Sequence, residues 1–191
     1  GKAALAQRVL DALGCVPRHE FVPVELQPFA YVNSPLPIGC GKTISQPFIV
    51  AAMTDLLDVQ PTDTVLEVGT GLGYQTAVLA LLARRVYSVE LIEELATQAI
   101  HRLARQRCAN AEVNVGDGSK GWPAHAPYDK VIVTAAPASV PAALLEQLKP
   151  GGRMVLPAGP PDDQQLMVLD KGLDGTIATR KIFAVRFSLL A

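Results

Sequence analysis

Hydrophobic positions at the start of the chain recur at helical spacing, and a glycine follows them: Leu5, Val9, Leu10, Leu13 and Gly14. This pattern predicts a short amphipathic helix that ends near the glycine. Five prolines between residues 16 and 41 then exclude long helices and central strands, so an irregular packed segment is expected there. Pro47 suits the first position of a second helix, predicted to run to about Leu57.

Beyond residue 61, short apolar runs alternate with helical stretches, which is typical of βαβ units. The predicted strands are 64–68, 85–89, 111–115, 128–134, 153–157, 165–171 and 176–186, and the predicted helices are 74–83, 91–106 and 140–148. A turn-rich connection at 172–175 predicts that the last two strands form a hairpin. The pattern therefore indicates an α/β fold with a mainly parallel sheet, antiparallel C-terminal strands and an N-terminal helical and proline-rich cap.

Length and composition exclude several classes of protein for this chain. A chain of 191 residues that is 49% hydrophobic can bury one proper core, so a single domain over 1–191 is expected. A net charge of -1 argues against a nucleic-acid binder. Three scattered cysteines indicate neither a disulfide scaffold nor a zinc site. No apolar run is long enough to cross a bilayer, and we expect a soluble protein of the reducing cytoplasm.

A glycine-rich turn follows the strand predicted at 64–68, with glycines at 69, 71 and 73. Glycines at such a turn allow a ligand to approach the backbone. The dinucleotide fingerprint needs its third glycine at position 74, where this chain has Tyr74, and no Gly-Lys-Ser or Gly-Lys-Thr closes a phosphate loop. The alternative is a turn that serves only as a tight connection between strand and helix.

Two acidic residues follow the next two predicted strands. Glu90 lies 21 residues after Gly69, where doubly wound folds place an acid that accepts hydrogen bonds from ribose hydroxyls. Its alternative role is to stabilise the N-terminus of the following helix. Asp117 lies between two glycines and can accept a hydrogen bond from an exocyclic amine, or form an Asx turn. Together with the glycine turn, these acids indicate a nucleoside site without a pyrophosphate cradle.

These motifs resemble the Rossmann-like methyltransferases that use S-adenosylmethionine, with Glu67-Val68-Gly69-Thr70-Gly71-Leu72-Gly73 as the first cofactor motif. A narrower resemblance is to protein-L-isoaspartate O-methyltransferases of the bacterial type. It rests on Thr43-Ile44-Ser45-Gln46-Pro47, which resembles their substrate motif, and on segments 16–23, 116–122 and 133–137. The matching segments extend from about residue 9 to 186, nearly the whole chain.

The resemblance implies methyl transfer from S-adenosylmethionine to the free α-carboxyl group of L-isoaspartyl residues in damaged proteins and peptides, which starts repair through a succinimide. It divides the domain into a cap with the substrate motif (1–60), a cofactor-binding core (61–157) and C-terminal strands (158–191). The implied cofactor-binding residues are Glu67, Val68, Gly69, Thr70, Gly71, Gly73, Glu90, Leu91, Asp117 and Gly118. The implied substrate-binding residues are Thr43, Ile44, Ser45, Gln46, Pro47 and Thr134.

Ser45 is the candidate catalytic residue, because its hydroxyl can orient the substrate carboxylate. Its alternative role is to cap the helix that begins near Pro47. No metal is expected, since the three histidines suggest no metal site. The expected protein is a monomer whose partners are isoaspartyl proteins and peptides, with no nucleic acid and no membrane.

Cys40 and Lys42 depart from the family pattern near the substrate motif, and Lys42 can either attract a carboxylate or point into water. Two alternatives stay open, of which the departures at Cys40 and Lys42 support the first. One is a related methyltransferase that acts on another carboxylate or a small molecule, and the other is a non-catalytic S-adenosylmethionine-binding module.

Overall fold

A seven-stranded sheet forms the centre of the protein, which is described here by a computed structural model covering residues 4–190. A separate two-stranded hairpin precedes it. The strands are β1 (Leu36–Gly39), β2 (Lys42–Ile44), β3 (Thr64–Val68), β4 (Arg85–Glu90), β5 (Ala111–Val115), β6 (Tyr128–Val133), β7 (Leu148–Ala158), β8 (Gln164–Lys171) and β9 (Ile177–Val185). The large sheet has the order β5-β4-β3-β6-β7-β8-β9. Strands β3 to β7 pair in parallel and β8 and β9 antiparallel, which confirms the predicted fold class.

Five α-helices accompany the strands within residues 4–190: α1 (Gln7–Cys15), α2 (Pro47–Leu57), α3 (Tyr74–Leu82), α4 (Glu93–Arg105) and α5 (Ala142–Gln147). Every residue of β3 is buried, as expected for a central parallel strand covered on both faces. The cap packs its apolar side chains, among them Phe21, Ala30 and Ile38, against Tyr74 and Leu95 of the core. None of the helices formed by residues 4–190 has the length and hydropathy needed to cross a membrane.

Among the predicted boundaries that move, those of the first helix and of the fifth strand of the large sheet have clear local reasons. Helix α1 continues through Gly14 to Cys15, because the helix is ended instead by Pro17, which disfavours helical backbone at Val16. Strand β7 begins at Leu148, whereas the prediction began at residue 153. The Pro-Gly-Gly sequence at 150–152 lies within this strand, at a register shift between the pairs Tyr128–Leu148 and Lys130–Arg153.

The proline-rich segment contains a β-hairpin that the sequence did not predict. Leu36 to Gly39 pair with Lys42 to Ile44, and the connecting residues Cys40 and Gly41 have positive φ angles of 52° and 68°. Positive φ at both central residues is the requirement of a two-residue type I′ turn. Residues 1–3 and 191, which the predicted domain includes, lie outside the described part of the chain.

Candidate active site

The carboxyl ends of four parallel strands meet at one edge of the sheet. The glycine turn 69–73 follows β3, Glu90 ends β4, Gly118 follows β5 and Thr134 follows β6. Because β5, β4, β3 and β6 are neighbours in this order, these four groups lie along a single edge. Open α/β sheets bind ligands in the crevice at this edge.

Three cavities lie along the edge, and Thr43 and Thr134 line all three. The first, termed the strand-end cavity, is lined by residues that include Ile38, Val68, Gly69, Glu90, Leu91 and Gly118. The second, termed the central cavity, is lined by residues that include Ile44, Ser45, Thr70, Gly71 and Tyr74. The third, termed the outer cleft, is lined by residues that include Pro35, Ser45, Gln46, Arg186 and Ser188. Thr43 and Thr134 therefore mark the place where the three cavities adjoin.

The glycine turn brings its backbone close to the neighbouring strand. Gly69 has a φ of 95°, its N–H donates to the Val89 carbonyl at 2.8 Å, and a Cβ at this position would overlap Thr134 Oγ1. Thr134 Oγ1 in turn donates to the Gly69 carbonyl at 2.7 Å. Gly73 has a different function, because a Cβ there would lie 3.3 Å from Leu103 Cγ of α4. Gly73 thus allows α3 and α4 to pack closely and lines none of the three cavities.

Glu90 faces the strand-end cavity and is only 7% exposed. One carboxylate oxygen accepts the Gly71 N–H at 2.8 Å, and the other accepts the Ile92 N–H at 3.0 Å. Both roles considered for this residue are therefore compatible, since it satisfies a backbone donor at the entrance to α4 and still lines the cavity. A carboxylate has about four acceptor positions, so two backbone bonds leave capacity for ligand hydroxyls.

Glu67 lies beneath the glycine turn and is fully buried. Its Oε2 accepts from Thr76 Oγ1 at 2.5 Å and from Ser88 Oγ at 2.7 Å, while Oε1 has no hydrogen-bond partner within residues 4–190. Burial raises the pKa of this carboxyl from its ordinary 4.5 to about 7. Thr70 joins the same network through a 2.5 Å contact between its hydroxyl and that of Ser88. Glu67 does not line the cavities, whereas Thr70 does.

Asp117 is occupied by local hydrogen bonds. Its Oδ1 accepts from the backbone N–H and the hydroxyl of Ser119, at 3.0 and 2.6 Å, and Lys120 Nζ lies 3.2 Å from Oδ2. The hydrogen bonds from Ser119, followed by Lys120, lower the pKa of this carboxyl. This is the Asx-type geometry considered as the alternative role. Gly118, not Asp117, lines the strand-end cavity, and a Cβ on Gly118 would overlap Val68.

Ser45 lines both the central cavity and the outer cleft. Its alternative role as a helix cap is wrong, because Gln46 occupies the N-cap position of α2 without a side-chain bond. The first turn of α2 is satisfied instead by Asn33, whose Oδ1 accepts the Phe48 N–H at 3.0 Å. The Ser45 hydroxyl has no hydrogen-bond partner in the described part of the chain, so it is available to a ligand.

The other residues of the substrate motif lie around Ser45. Thr43 is exposed at the junction of the cavities, Ile44 lines the central cavity and Gln46 lines the outer cleft. Pro47 is the first residue of α2 and lines none of the cavities.

Part of the cavity wall was not anticipated from the sequence. Segment 188–190 lines the strand-end cavity because Ala136 pairs with Leu189 in an isolated parallel bridge. The Ala136 N–H donates to the Ser188 carbonyl at 2.8 Å, and the Leu190 N–H donates to the Ala136 carbonyl at 2.9 Å. Lys42, for which the sequence left open attraction of a carboxylate or exposure to water, is half-buried and lines the strand-end cavity.

Groups of three or more His, Cys, Asp or Glu side chains suited to a metal ion do not occur within residues 4–190. The described cysteines, Cys15, Cys40 and Cys108, are free thiols.

Comparison with known proteins assigns the chain to one group. The family model described as protein-L-isoaspartate(D-aspartate) O-methyltransferase matches residues 2–191. Protein-L-isoaspartate O-methyltransferase 1 of Polaromonas sp. (strain JS666) is 62% identical over 190 residues, which are 100% of this chain and 80% of that protein. Protein-L-isoaspartate O-methyltransferase 2 of the same organism is 56% identical over 188 residues, which are 98% of this chain and 89% of that protein.

Two solved structures that share this fold are named as enzymes of the same kind. A protein-L-isoaspartate O-methyltransferase structure superposes with a TM-score of 0.87 at 26% identity, covering 98% of this chain and 62% of that chain. A second structure, from Plasmodium falciparum, superposes with a TM-score of 0.85 at 21% identity, covering 97% of this chain and 91% of that chain. That protein is described as a protein-L-isoaspartate O-methyltransferase in complex with S-adenosyl-L-homocysteine.

Proposed function

This chain belongs to the protein-L-isoaspartate(D-aspartate) O-methyltransferase family, and we propose that it methylates the free α-carboxyl group of L-isoaspartyl residues in damaged proteins and peptides. The methyl donor is S-adenosylmethionine, and the ester formed starts repair through a succinimide. The observation that carries this proposal is the junction at Thr43 and Thr134, where a cavity bordered by the cofactor motif adjoins a cleft bordered by the substrate motif. A donor and an acceptor bound on the two sides would meet there.

The residues of the strand-end cavity fit S-adenosylmethionine. Glu90 has acceptor capacity for two ribose hydroxyls, and Ile38, Val89 and Leu95 supply apolar surface for a base. Below the turn, Glu67 remains a predicted cofactor-binding residue from the resemblance, although it is fully buried and lines none of the cavities. When bound, the sulfonium supplies an already activated methyl group. Asp117, Gly73 and Pro47 remain predicted ligand-binding residues from the resemblance, although they do not line the cavities.

The acceptor side needs positioning and does not need a general base. A carboxylate is already ionised at pH 7, so the chain has to hold one of its oxygens in line with the methyl group and exclude bulk water. We assign the orienting hydrogen bond to the Ser45 hydroxyl, which borders both the central cavity and the outer cleft. The outer cleft has a volume of about 400 Å³, within the range of small-molecule sites, so it can hold the residue that carries the carboxylate.

We further propose a cytoplasmic monomer that acts on proteins and peptides and not on nucleic acids or membranes. The free thiols of Cys15, Cys40 and Cys108 favour a reducing compartment. A net charge of -1 offers no general attraction to polyanions.

The first experiment incubates the protein with labelled S-adenosylmethionine and two peptides that differ only in one isoaspartyl or aspartyl linkage. Base-labile methyl ester is then counted. We expect label on the isoaspartyl peptide alone. Equal or absent labelling of both peptides, with cofactor binding confirmed separately, would instead support a different substrate or a non-catalytic binding module.

Ser45→Ala tests the assignment of the orienting hydroxyl in the same assay. We expect kcat/KM for the isoaspartyl peptide to fall roughly 10- to 100-fold, because a small misplacement of the reacting oxygen is costly. Ser34→Ala is the matched control, since Ser34 is half-buried and lines none of the three cavities. Equal turnover by the two variants would remove Ser45 from the mechanism.

A further inference from the structure

Arg18 is the largest side chain that the described chain buries completely, with 1% of its surface exposed. Within residues 4–190 it forms no ion pair with a carboxylate, and its Nη1 has no hydrogen-bond partner. Burial lowers the pKa of the guanidinium, but arginine stays charged at neutral pH. A buried charge without a counter-ion is costly, so its contacts have to compensate for lost hydration.

The contacts of Arg18 join three separate parts of the site. Nε donates to the Ala30 carbonyl at 2.7 Å, within the cap. Nη2 donates to the Ser45 carbonyl at 2.7 Å, in the substrate motif. The guanidinium carbon lies 5.0 Å from the ring centroid of Tyr74, the first residue of α3 after the glycine turn. One rigid, planar group therefore links the cap, the substrate motif and the end of the glycine turn.

Ser45 depends on this link because regular structure does not hold its carbonyl. Strand β2 ends at Ile44 and α2 begins at Pro47, so residues 45 and 46 lie between the two elements. The first carbonyl used by α2 is that of Gln46, which accepts from Ile49 and Val50. Within the described residues, the Ser45 carbonyl accepts a hydrogen bond only from Arg18.

We propose that Arg18 is a positioning residue for methyl transfer, which holds the Ser45 peptide group so that the Ser45 hydroxyl points correctly at the bound carboxylate. This inference rests on the proposed function, since it assumes that Ser45 orients the substrate. It extends that function to a buried cap residue that lines none of the three cavities. On the side of the glycine turn its contact is with the Tyr74 ring alone, so we expect the binding of the methyl donor to depend on Arg18 less than the position of Ser45 does.

Arg18→Met tests the proposal, because methionine retains apolar bulk and loses both hydrogen bonds. We expect kcat for the isoaspartyl peptide to fall about 10- to 100-fold. The affinity for S-adenosylhomocysteine, measured by titration calorimetry, should change less than about twofold. Amide hydrogen exchange in segment 42–50 should become faster. In Arg18→Lys, one restored hydrogen bond should recover part of kcat.

Arg102→Met is the matched control. Arg102 also anchors the cap, through Nε to the Glu20 carbonyl at 3.2 Å, but does not contact Ser45. We expect this variant to retain kcat and the exchange rate of segment 42–50. The control therefore separates the positioning of Ser45 from a general loosening of the cap.

Three outcomes would overturn the proposal: wild-type kcat in Arg18→Met, unchanged exchange in segment 42–50, or a parallel loss of cofactor affinity and kcat. If Arg18→Met does not fold, the same measurements are made on Arg18→Lys. A wild-type kcat and a wild-type exchange rate in Arg18→Lys would contradict the proposal that Arg18 positions Ser45. A wild-type protein inactive on isoaspartyl peptide would contradict the proposed function, while the exchange comparison would still decide whether Arg18 holds Ser45.

Discussion

Glu67 illustrates how a single side chain acquires unusual properties from its surroundings. Two hydroxyl donors, on Thr76 and Ser88, contact one of its oxygens and favour the ionised form. Complete burial has the larger effect and raises the pKa to about 7. The folded protein therefore retains a proton on Glu67 at pH values where the unfolded chain has released it.

This difference predicts a pH-dependent stability. Between pH 4.5 and about 7 the native state binds more protons at Glu67 than the unfolded state, so the free energy of unfolding falls as pH rises. We expect a loss of about 3 kcal/mol across this window, present in the wild type and absent in Glu67→Gln. Urea denaturation at pH values from 4 to 8 measures both proteins.

Glu146→Gln is the control for this comparison, because it removes an exposed carboxylate. The informative quantity is the difference in unfolding free energy between wild type and Glu67→Gln at each pH. A difference that stays constant from pH 4 to 8 would show that Glu67 is not buried in the manner described.

The glycine turn after β3 acts as one element, in which backbone conformation and close contact are both required. Gly69 combines a φ of 95° with the contact to Thr134, whereas Gly175, in the hairpin turn between β8 and β9, combines a φ of 83° with open space. A comparison of alanine substitutions at the two glycines therefore separates the effect of backbone strain from the effect of steric overlap. An alanine at either position adopts an unfavourable left-handed conformation.

We expect Gly175→Ala to lower the free energy of unfolding by about 1 kcal/mol through backbone strain, with methyl transfer unchanged. Gly69→Ala should lose a further ~1–3 kcal/mol, because its Cβ overlaps Thr134 Oγ1 and the neighbouring strand end has to move. It should also weaken binding of S-adenosylhomocysteine. Urea denaturation and titration calorimetry measure the two effects, and equal losses in both variants would contradict the close contact at Gly69.

At the scale of the whole molecule, the strand-end cavity is built from three distant parts of the chain. The β1–β2 hairpin contributes Ile38, the sheet edge contributes Glu90, and the C-terminal segment contributes Leu189. A ligand in this cavity contacts all three parts at once. Its binding should therefore stabilise the complete fold, since none of these parts forms the cavity alone.

We expect S-adenosylhomocysteine at 100 times its Kd to add about 2.7 kcal/mol to the stability. For a chain of this size this corresponds to a rise in Tm of about 5 to 10 °C. Differential scanning calorimetry with and without the ligand measures the shift, and Gly69→Ala should reduce it at the same ligand concentration. A dinucleotide such as NAD is the negative control. The absence of a shift at saturating concentration would contradict the assignment of the cavity.

The sequence determined the order and type of the main elements, because hydrophobic periodicity and turn chemistry are local properties. Thr134 was implied by the family resemblance. The sequence also determined that Gly69 and Glu90 face the site, because both follow directly from strand ends. Parallel strands bring their carboxyl ends to one edge, so position along the chain was sufficient for these residues. The resemblance to a family supplied the substrate motif around Ser45.

Tertiary structure alone decided the features that depend on residues far apart in sequence. Glu67 lies beneath the cavities because Thr76 and Ser88 enclose its carboxylate. The C-terminal segment reaches the cavity through Leu189, which pairs with Ala136. The Ser45 carbonyl is held by Arg18, 27 residues earlier in the chain. Local patterns carry no information about such contacts, because burial and hydrogen-bond partners arise only when the cap, the sheet and the C-terminal segment pack together.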